Sequence, residues 1–161
     1  VSSDSKPTSR TVLLKGFDKT GFTFFTNYES RKSADIKSNP NVSLLFLWKE
    51  LERQVRINGS VIKVSEAESK KYFDLRPVES RISAWASVQS SKIPDRKYLE
   101  EKYESFKQKF SDGNVPLPPH WGGYRVIPDY FELWQGRENR LHDRISYELV
   151  NKVWNIFRLS P

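Results

Sequence analysis

Short stretches in which apolar and polar residues alternate recur along the chain and predict β-strands, because the side chains of a strand point alternately to its two faces. Residues 11–15 and 21–26 are rich in β-branched and aromatic side chains, and Asp18-Lys19-Thr20-Gly21 between them predicts a hairpin. Residues 42–48 form a nearly continuous apolar run, which predicts a strand buried on both faces. Residues 54–57 and 61–64 also alternate, and Asn58-Gly59 between them is either a turn or a bulge.

Segments with helical periodicity interrupt these strands. Residues 29–38 predict a short helix that ends at Asn39-Pro40. Ser65 and Glu68 have the spacing of a capping box, which predicts a helix that Arg76-Pro77 ends. Further helices are predicted over residues 81–87 and 96–110, and strand patterns return at 124–127, 130–134, 144–149 and 153–157. Strands on both sides of a helical insert predict a mainly β (α+β) fold, an antiparallel barrel with helices at its side or ends.

The 161-residue chain is long enough for one domain with its own core and too short for two. We therefore expect a polar lead-in over residues 1–9 and a single domain over residues 10–161. The sequence does not start with Met, so we expect a natural N-terminal segment to precede it. It contains no cysteine, no apolar run near the roughly 20 residues that span a bilayer, and neither a signal nor a transit peptide. These features favour a cytoplasmic protein, or an organellar one from which a targeting segment has been removed.

The formal net charge of +7 and a pI near 9.6 predict an anionic partner such as nucleic acid, an acidic surface or a phosphorylated small molecule. Lysines and arginines are spread through segments that also carry Asp and Glu, which favours discrete phosphate pockets over a nucleic-acid-binding surface. The sequence contains neither a glycine-rich phosphate loop nor a zinc-binding HExxH motif. We therefore expect no metal site and assign the demanding chemistry to a bound organic cofactor.

Two basic residues, Arg31 and Lys32, stand near the start of the predicted helix that follows Thr26. Cations at a helix N-terminus oppose the helix dipole, and a bound anion would remove that conflict. Helix N–H groups, a threonine hydroxyl and two cations together form a phosphate site. The alternative is a solvated basic turn, and Lys15 at the end of the first predicted strand is open to the same two interpretations.

A second candidate phosphate site consists of Tyr72, Arg76 and Ser80, which follow one another at intervals of four residues. On a continuous helix they would share one face and offer a phenol, a guanidinium group and a hydroxyl to a phosphate monoester. Pro77 makes that continuity doubtful, and tyrosine with arginine at this spacing is also common on exposed helix faces.

The segment from Trp134 to Arg144 has the pattern WQGxxxRLHDR and contains three arginines and one of the two histidines of the chain. Arg140, His142 and Arg144 recur at period two, so they would project from one face of a strand. This density of functional groups predicts a binding site, and the alternative is the polar outer face of an edge strand.

Together these motifs resemble the pyridoxine (pyridoxamine) 5'-phosphate oxidase family, collinearly from residue 10 to residue 161. The matching segments include RTVLLKGFD, TNYESRKSADI, NPNVSLLF, LERQVRI, YFDLRPVESRI, SVQSS and PLPPHWGGYRV, and the most specific are WQGxxxRLHDR and the terminal RLxP. The resemblance implies an FMN-binding split β-barrel with flanking helices, and a homodimer with FMN at the subunit interface. It also implies a flavoprotein oxidoreductase of vitamin B6 metabolism. Such an enzyme converts pyridoxamine or pyridoxine 5'-phosphate to pyridoxal 5'-phosphate with O2 as acceptor, releasing H2O2 and, from the amine, ammonia.

Position by position, the resemblance implies a cofactor site and a substrate site. The FMN contacts fall on Arg10, Thr11, Val12, Leu13, Phe25, Thr26, Arg31, Lys32, Gln54, Gln89, Ser90, Trp134 and Arg144. The substrate contacts fall on Lys15, Tyr72, Arg76 and Ser80 around the phosphate, and on Arg140, Leu141 and His142 near the pyridine ring. Arg140 and His142 are the candidate catalytic residues, the first for electrostatic stabilisation and the second for positioning or proton transfer. Two phosphate-bearing ligands require two cationic pockets, and the two basic clusters would supply them.

The sequence departs from the family pattern at few positions. Ser83 stands where glycine is common and Arg81 where a neutral residue is frequent, and neither is a site position. The family's N-terminal segment, which can cover the active site, has no counterpart among these residues.

Two other functions fit parts of the pattern. A flavin-binding split-barrel reductase or carrier would bind FMN without oxidase activity, and a nucleic-acid-binding module would use the positive charge and the aromatic residues. We expect small-molecule ligands, with neither nucleic acid nor a membrane as partner.

Overall fold

The computed structural model describes Ser2, Asp4 and residues 6–161, and within these residues seven strands form one antiparallel sheet. The strands are β1 (Gly16–Asp18), β2 (Gly21–Asn27), β3 (Asn41–Trp48), β4 (Arg53–Lys63), β5 (Trp121–Gln135), β6 (Asp143–Val150) and β7 (Val153–Arg158). The same part of the chain forms the helices α1 (Arg31–Ser38), α2 (Glu66–Asp74), α3 (Val78–Ala86) and α4 (Arg96–Lys109), and 3₁₀ turns at Lys49–Leu51 and Glu138–Arg140. The helical insert between β4 and β5 is the one that the periodicity predicts.

The sheet is organised around β5, its longest strand. β4 pairs along one edge of β5, from Lys63↔Tyr124 to Arg53↔Gln135. On the opposite edge, the first half of β5 pairs with β2 and the second half with β6. β3 lies outside β4, β1 outside β2, and β7 outside β6. β4 and β5 therefore extend through both the region of the sheet that contains β2 and the region that contains β6.

Aromatic contacts show that the sheet is curled. The ring centroid of Phe22 in β2 lies 6.3 Å from that of Phe46 in β3, although β5 and β4 separate these strands in the sheet. One core fills the concave side, with Phe24, Val61, Tyr124 and Val126 as its buried members. A second core joins the helices to the start of β5 and consists of Phe73, Ile82, Phe110, Val115 and Trp121. A mainly β architecture with helices at the side of a curled antiparallel sheet is thus confirmed.

The predicted hairpin forms, but its first strand is Gly16–Asp18, and residues 11–15 lie outside the sheet. The register starts at Gly16↔Thr23, and just upstream the Lys15 N–H still donates to the Thr23 carbonyl. Residues 11–14 then leave β2 and line cavities. A segment with strand composition therefore forms cavity walls instead of a strand.

β3 forms as predicted, but the expectation that both of its faces are buried is wrong. Leu45 and Leu47 are 61% and 64% exposed, whereas Leu44 and Phe46 are half-buried on the inner side. The apolar run thus combines an inner face that packs on the core with an outer face that the described part of this chain leaves uncovered.

Asn58-Gly59 is a bulge within the single strand β4, not a turn between two strands. A Cβ atom on Gly59 would overlap the Ile127 carbonyl of β5, so glycine is required at this close approach. Residues 124–127 and 130–134 likewise belong to one strand, β5.

The predicted helices form, with ends that differ from the predicted ones by up to three residues. The Ser65 hydroxyl caps α2 by accepting a hydrogen bond from the Glu68 N–H, while the Glu68 carboxylate pairs with Arg125 and does not complete the capping box. In the described ranges, no helix is long and apolar enough to cross a membrane.

Candidate functional site

A cavity of about 560 Å³ lies where the N-terminal segment, β2, α1 and the connection between α2 and α3 meet. Its walls include many predicted site residues: Thr11, Val12, Leu13, Lys15, Phe25, Thr26, Lys32, Tyr72, Arg76, Ser80 and Gln89. Two separate cationic pockets are predicted from the sequence, whereas in this chain Lys32 of the first basic cluster and Arg76 of the second line the same cavity. Among the described residues, the wall contains three cations, from Lys15, Lys32 and Arg76, and no carboxylate.

Part of the wall is formed around Lys32 of α1. Its ammonium group donates to Gln89 Oε1 at 2.6 Å, to Thr26 Oγ1 at 2.9 Å and to Ser30 Oγ at 3.2 Å. All three acceptors are neutral. Burial, and then repulsion from Arg10, lower the pKa of Lys32. A half-buried cation that has hydrogen bonds but no counter-charge is suited to bind an anion.

Three aromatic rings, those of Tyr72, Phe25 and Trp121, form a stacked group in another part of the wall. The centroids of Tyr72 and Phe25 are 4.1 Å apart, and those of Phe25 and Trp121 are 5.5 Å apart. The Arg76 guanidinium lies 4.9 Å from the Trp121 centroid, and the Lys15 ammonium 5.8 Å from that of Tyr72. The aromatic group therefore supports both cations through cation–π contacts.

Arg76 also has a buried Nη1 atom without a hydrogen-bond partner among the described residues. Burial lowers the pKa of this arginine. Because a buried N–H group without an acceptor is costly, this donor fits a phosphate oxygen of a ligand in the cavity.

Tyr72, Arg76 and Ser80 do not share a continuous helix. α2 ends at Asp74 and α3 begins at Val78, so Arg76 lies in the connection between them. The Pro77 break that the sequence indicates is real, yet all three side chains line the same cavity.

Six predicted FMN contacts do not line this cavity: Arg10, Arg31, Ser90, Gln54, Trp134 and Arg144. Arg10 pairs with Asp35 of α1 at 3.3 Å and lines a neighbouring cavity of about 830 Å³. Thr8 also donates to Asp35, at 2.7 Å, so the N-terminal segment is held against α1. Arg31 and Ser90 are exposed, and Ser90 has a positive φ of 73°.

Gln54, Trp134 and Arg144 form a second group, a cross-strand row. Gln54 lies opposite Trp134 between β4 and β5, and Trp134 lies opposite Arg144 between β5 and β6. Directly opposite residues of antiparallel strands share a face, so these three side chains project from one side of the sheet.

The chain between β5 and β6 is an irregular turn, so the prediction that Arg140, His142 and Arg144 project from one strand face is wrong. β6 begins only at Asp143, and Arg140 lies in a 3₁₀ turn. Asn139 and Arg140 have positive φ values of 54° and 61°, and such backbone breaks the alternation of a strand. Arg140 and Leu141 are exposed on this turn.

His142 packs its ring against Trp134, with centroids 4.8 Å apart. Its Nδ1 accepts a hydrogen bond from the Arg137 backbone N–H at 3.1 Å. Because an accepting ring nitrogen carries no proton, the neutral imidazole carries its proton on Nε2. The turn therefore leaves Nε2–H as the hydrogen-bond donor of His142.

The two groups of predicted site residues are far apart within one chain. Thr26 of the cavity pairs with Gly122 near the start of β5, whereas Gln54 pairs with Trp134 near its end. The twelve residue steps along the strand from Gly122 to Trp134 correspond to a length of about 40 Å along the strand at the usual rise per residue. Within one chain the two groups therefore lie at opposite ends of β5.

Three further residues, not predicted from the sequence, support these groups. Trp121 makes a cation–π contact with Arg76, and Asp35 forms a salt bridge with Arg10. Glu132 accepts hydrogen bonds from two arginines although it is only 3% exposed. A glutamate in an alternating strand is expected to face solvent, so no local signal could reveal its burial. Trp121 lies in the segment PHWGGYRV, which carried the family resemblance but no assigned role.

Models of known families match nearly the whole chain. Residues 1–110 match a model described as pyridoxamine 5'-phosphate oxidase, and residues 121–161 match one described as the pyridoxine 5'-phosphate oxidase C-terminal dimerisation region. The pyridoxine/pyridoxamine 5'-phosphate oxidases of Rippkaea orientalis and Crocosphaera subtropica are 57% and 58% identical to this chain. These alignments cover 100% of the chain and 76% and 77% of the two relatives.

Solved structures with the same architecture include PhzG from Burkholderia lata, in complex with tetrahydrophenazine-1-carboxylic acid. It superposes with a TM-score of 0.93 at 30% identity, over 100% of this chain and 79% of PhzG. A pyridoxamine 5'-phosphate oxidase-related, FMN binding protein from Nostoc punctiforme has a TM-score of 0.77 at 15% identity, over 100% of this chain and 84% of that protein. These likenesses confirm the predicted split-barrel fold.

Proposed function

This chain belongs to the pyridoxine/pyridoxamine 5'-phosphate oxidase family, and on that premise we propose that it oxidises pyridoxamine or pyridoxine 5'-phosphate to pyridoxal 5'-phosphate, using FMN and O2. The observation that carries the proposal is the cavity whose wall holds Lys15, Lys32 and Arg76 without a carboxylate among the described residues. The phosphate groups of a cofactor and a substrate would supply the missing counter-charge.

The cluster around Lys32 is the proposed FMN phosphate site. Lys32 and Thr26 would bind the phosphate with Arg31, and Gln89 would exchange its contact with Lys32 for one with the cofactor. The remaining positions that the resemblance assigns to FMN are Arg10, Thr11, Val12, Leu13, Phe25, Ser90, Gln54, Trp134 and Arg144. The uncompensated charge and the half-buried setting of Lys32 support this assignment.

The cluster around Arg76 is the proposed site of the substrate phosphate. The unsatisfied Nη1 of Arg76 supports this role, and Lys15, Tyr72 and Ser80 lie in the same wall. Bound FMN would supply the redox chemistry, which is hydride acceptance from the substrate and electron transfer to O2 with release of H2O2. Arg140 would orient the pyridine ring with Leu141 and stabilise developing charge, and His142 would donate a hydrogen bond or a proton from Nε2.

We propose that two copies of the chain build each complete site. The cross-strand row and the turn with Arg140 and His142 would reach the cavity of the partner subunit, because they lie about 40 Å along β5 from the cavity of their own. The match of residues 121–161 to a dimerisation region supports a homodimer. Apolar side chains exposed on β3 and β7 support it as well, with Leu47 and Ile156 both 64% exposed.

The test is an assay of the purified protein in air. We expect a flavin absorption spectrum, FMN in the supernatant after denaturation, and formation of pyridoxal 5'-phosphate and H2O2 from pyridoxamine 5'-phosphate. Pyridoxamine without phosphate is the matched control and should react poorly. Flavin without peroxide would indicate a reductase or carrier, and a colourless protein that binds oligonucleotides in a salt-dependent way would contradict the proposal.

A further inference from the structure

A second polar row lies next to the cross-strand row of the proposed flavin site. Arg56 of β4, Glu132 of β5 and Ser146 of β6 lie opposite one another in register. Each is two residues from a member of the cross-strand row on the same strand, so both rows share one face of the sheet. The second row is therefore placed to support the side chains of the first.

Glu132 is the centre of this second row. It is only 3% exposed, and its two carboxylate oxygens accept from different arginines, Oε1 from Arg144 Nε at 2.8 Å and Oε2 from Arg56 Nη2 at 2.7 Å. None of the proposed cofactor or substrate contacts involves this carboxylate. A buried carboxylate that spans two guanidinium groups constrains the orientation of both.

The contacts of Arg144 leave part of its guanidinium group available. Nε donates to Glu132, and Nη1 donates to the Ser160 carbonyl at 2.8 Å. In the part of the chain that the structure describes, Nη2 makes no hydrogen bond, and the side chain is 27% exposed. Because the guanidinium group is planar, two fixed contacts determine the direction of the remaining donors.

We propose that Glu132 is a positioning residue of the flavin site, which fixes the Arg144 guanidinium so that its free donors meet the cofactor. This inference rests on the proposed function, because it requires that Arg144 contacts FMN. Glu132 itself does not contact the ligand. Its effect passes through Arg144, and this distinguishes it from a residue that only stabilises the fold.

The sign of the effect separates positioning from simple electrostatics. FMN carries a negative phosphate group, so removal of a nearby negative charge would by itself strengthen FMN binding. Loss of the carboxylate that orients Arg144 would weaken it. We expect Glu132→Gln to raise the FMN dissociation constant about 10- to 100-fold, as for a lost charge-assisted hydrogen bond.

The experiment is a double-mutant cycle on FMN affinity, measured by flavin fluorescence with the apoprotein. Glu132→Gln and Arg144→Ala are compared singly and together, with Glu148→Gln, an exposed glutamate of β6, as the matched control. If Glu132 acts through Arg144, Glu132→Gln should have no further effect on the dissociation constant in the Arg144→Ala protein. Additive losses, unchanged affinity or tighter binding in Glu132→Gln would overturn the inference.

Two further measurements keep the test decisive. Failure of the wild-type apoprotein to bind FMN would contradict the proposed function, and not the role of Glu132 alone. If Glu132→Gln does not fold by circular dichroism, Glu132→Asp replaces it in the cycle, since it keeps the charge and shortens the side chain by one methylene. Weaker FMN binding at an unchanged melting temperature then supports the inference, and unchanged binding overturns it.

Discussion

At the scale of single residues, the proposed site is marked by cations that have no counter-charge among the residues that the structure describes. Among the arginines of the sheet, Arg56 pairs with Glu132 and Arg125 pairs with Glu68. Lys32, in contrast, contacts neutral oxygens, and Arg76 lies against aromatic rings. A cation that is partly removed from water without a counter-charge destabilises the free protein, and a bound phosphate would offset that cost. We therefore expect these residues to affect ligand binding more than folding.

Lys32→Ala should weaken FMN binding by about 1.5–3 kcal/mol, because the cofactor phosphate loses a charge-assisted contact. Fluorescence titration of the apoprotein with FMN measures the dissociation constant, and thermal unfolding measures the stability. Lys37→Ala, an exposed lysine in the last turn of α1, is the matched control and should bind FMN normally. A Lys32→Ala protein that is unstable but retains FMN when folded would contradict the phosphate assignment.

Arg76→Ala should leave FMN binding intact and lower kcat/KM for pyridoxamine 5'-phosphate about ten- to a few-hundred-fold, through the lost contact to the substrate phosphate. Pyridoxamine without phosphate should be affected little. Steady-state kinetics with both substrates, together with the flavin content, test this expectation. Equal losses with the two substrates would instead assign Arg76 a structural role.

Glu132 should make part of the stability dependent on pH. The hydrogen bond from Arg144, and then the charge of Arg56, hold the pKa of Glu132 below its usual value of 4.5. The stabilisation is therefore complete above the unfolded pKa and is lost as the pH falls through the lower folded pKa. We expect Glu132→Gln to reduce the free energy of unfolding at pH 7, and the difference from wild type to shrink near about pH 3. Urea unfolding at both pH values measures this, and a difference that is constant with pH would contradict it.

At the scale of elements, β5 positions the site through two adjacent glycines. A Cβ atom on Gly122 would overlap the Tyr28 hydroxyl, and one on Gly123 would lie 2.8 Å from the Phe25 ring and 2.6 Å from a Val64 methyl group. The first half of β5 can therefore pair closely with β2 while aromatic side chains lie across it. Phe25 belongs to the stacked aromatic group, so the close approach of β5 to Phe25 also positions the aromatic part of the cavity wall.

Gly123→Ala should destabilise the protein by about 1–3 kcal/mol, because the added methyl group must displace the Phe25 ring or Val64. Displacement of Phe25 should also weaken FMN binding. Gly16→Ala in β1 is the control, since a Cβ there meets nothing within 4 Å. Thermal unfolding and FMN titration of both variants test the prediction, and equal behaviour of the two variants would refute it.

At the scale of the whole molecule, one chain contains two incomplete halves of the proposed site. The cavity lies beside the start of β5, and the cross-strand row crosses β5 near its end. Within one chain these halves lie at opposite ends of the same strand. A symmetric dimer can place the row of one subunit against the cavity of the other, twice.

Complementation between inactive variants should reveal such shared sites. Lys32→Ala alters the cavity and Arg144→Ala alters the row, so each homodimer should lose activity. A mixed dimer carries both changes in one site and none in the other. After unfolding and refolding together in equal amounts, the mixture should recover about one quarter of wild-type activity. Oxidase assays before and after refolding measure this, and absence of recovery in dimers that have exchanged subunits would place each site within one chain.

Features that depend on near neighbours in the chain follow from the order of the amino acids alone. The Ser65 cap of α2, the turn before Gly21 and the ends of α4 require only residues a few positions apart, and each lies where the pattern predicts it. The segments WQGxxxRLHDR and RLxP likewise predicted the family directly from residue order. The roles of the individual site residues remain predictions.

Features that depend on partners distant in the chain follow from the packing of the folded protein. Asn58-Gly59 is a bulge because the Ile127 carbonyl approaches it, and the outer face of β3 is exposed because the described chain supplies nothing to cover it. Glu132 is buried because arginines of two neighbouring strands meet its carboxylate. Burial and charge pairing are set by these long-range contacts, which a local pattern of apolar and polar residues does not encode.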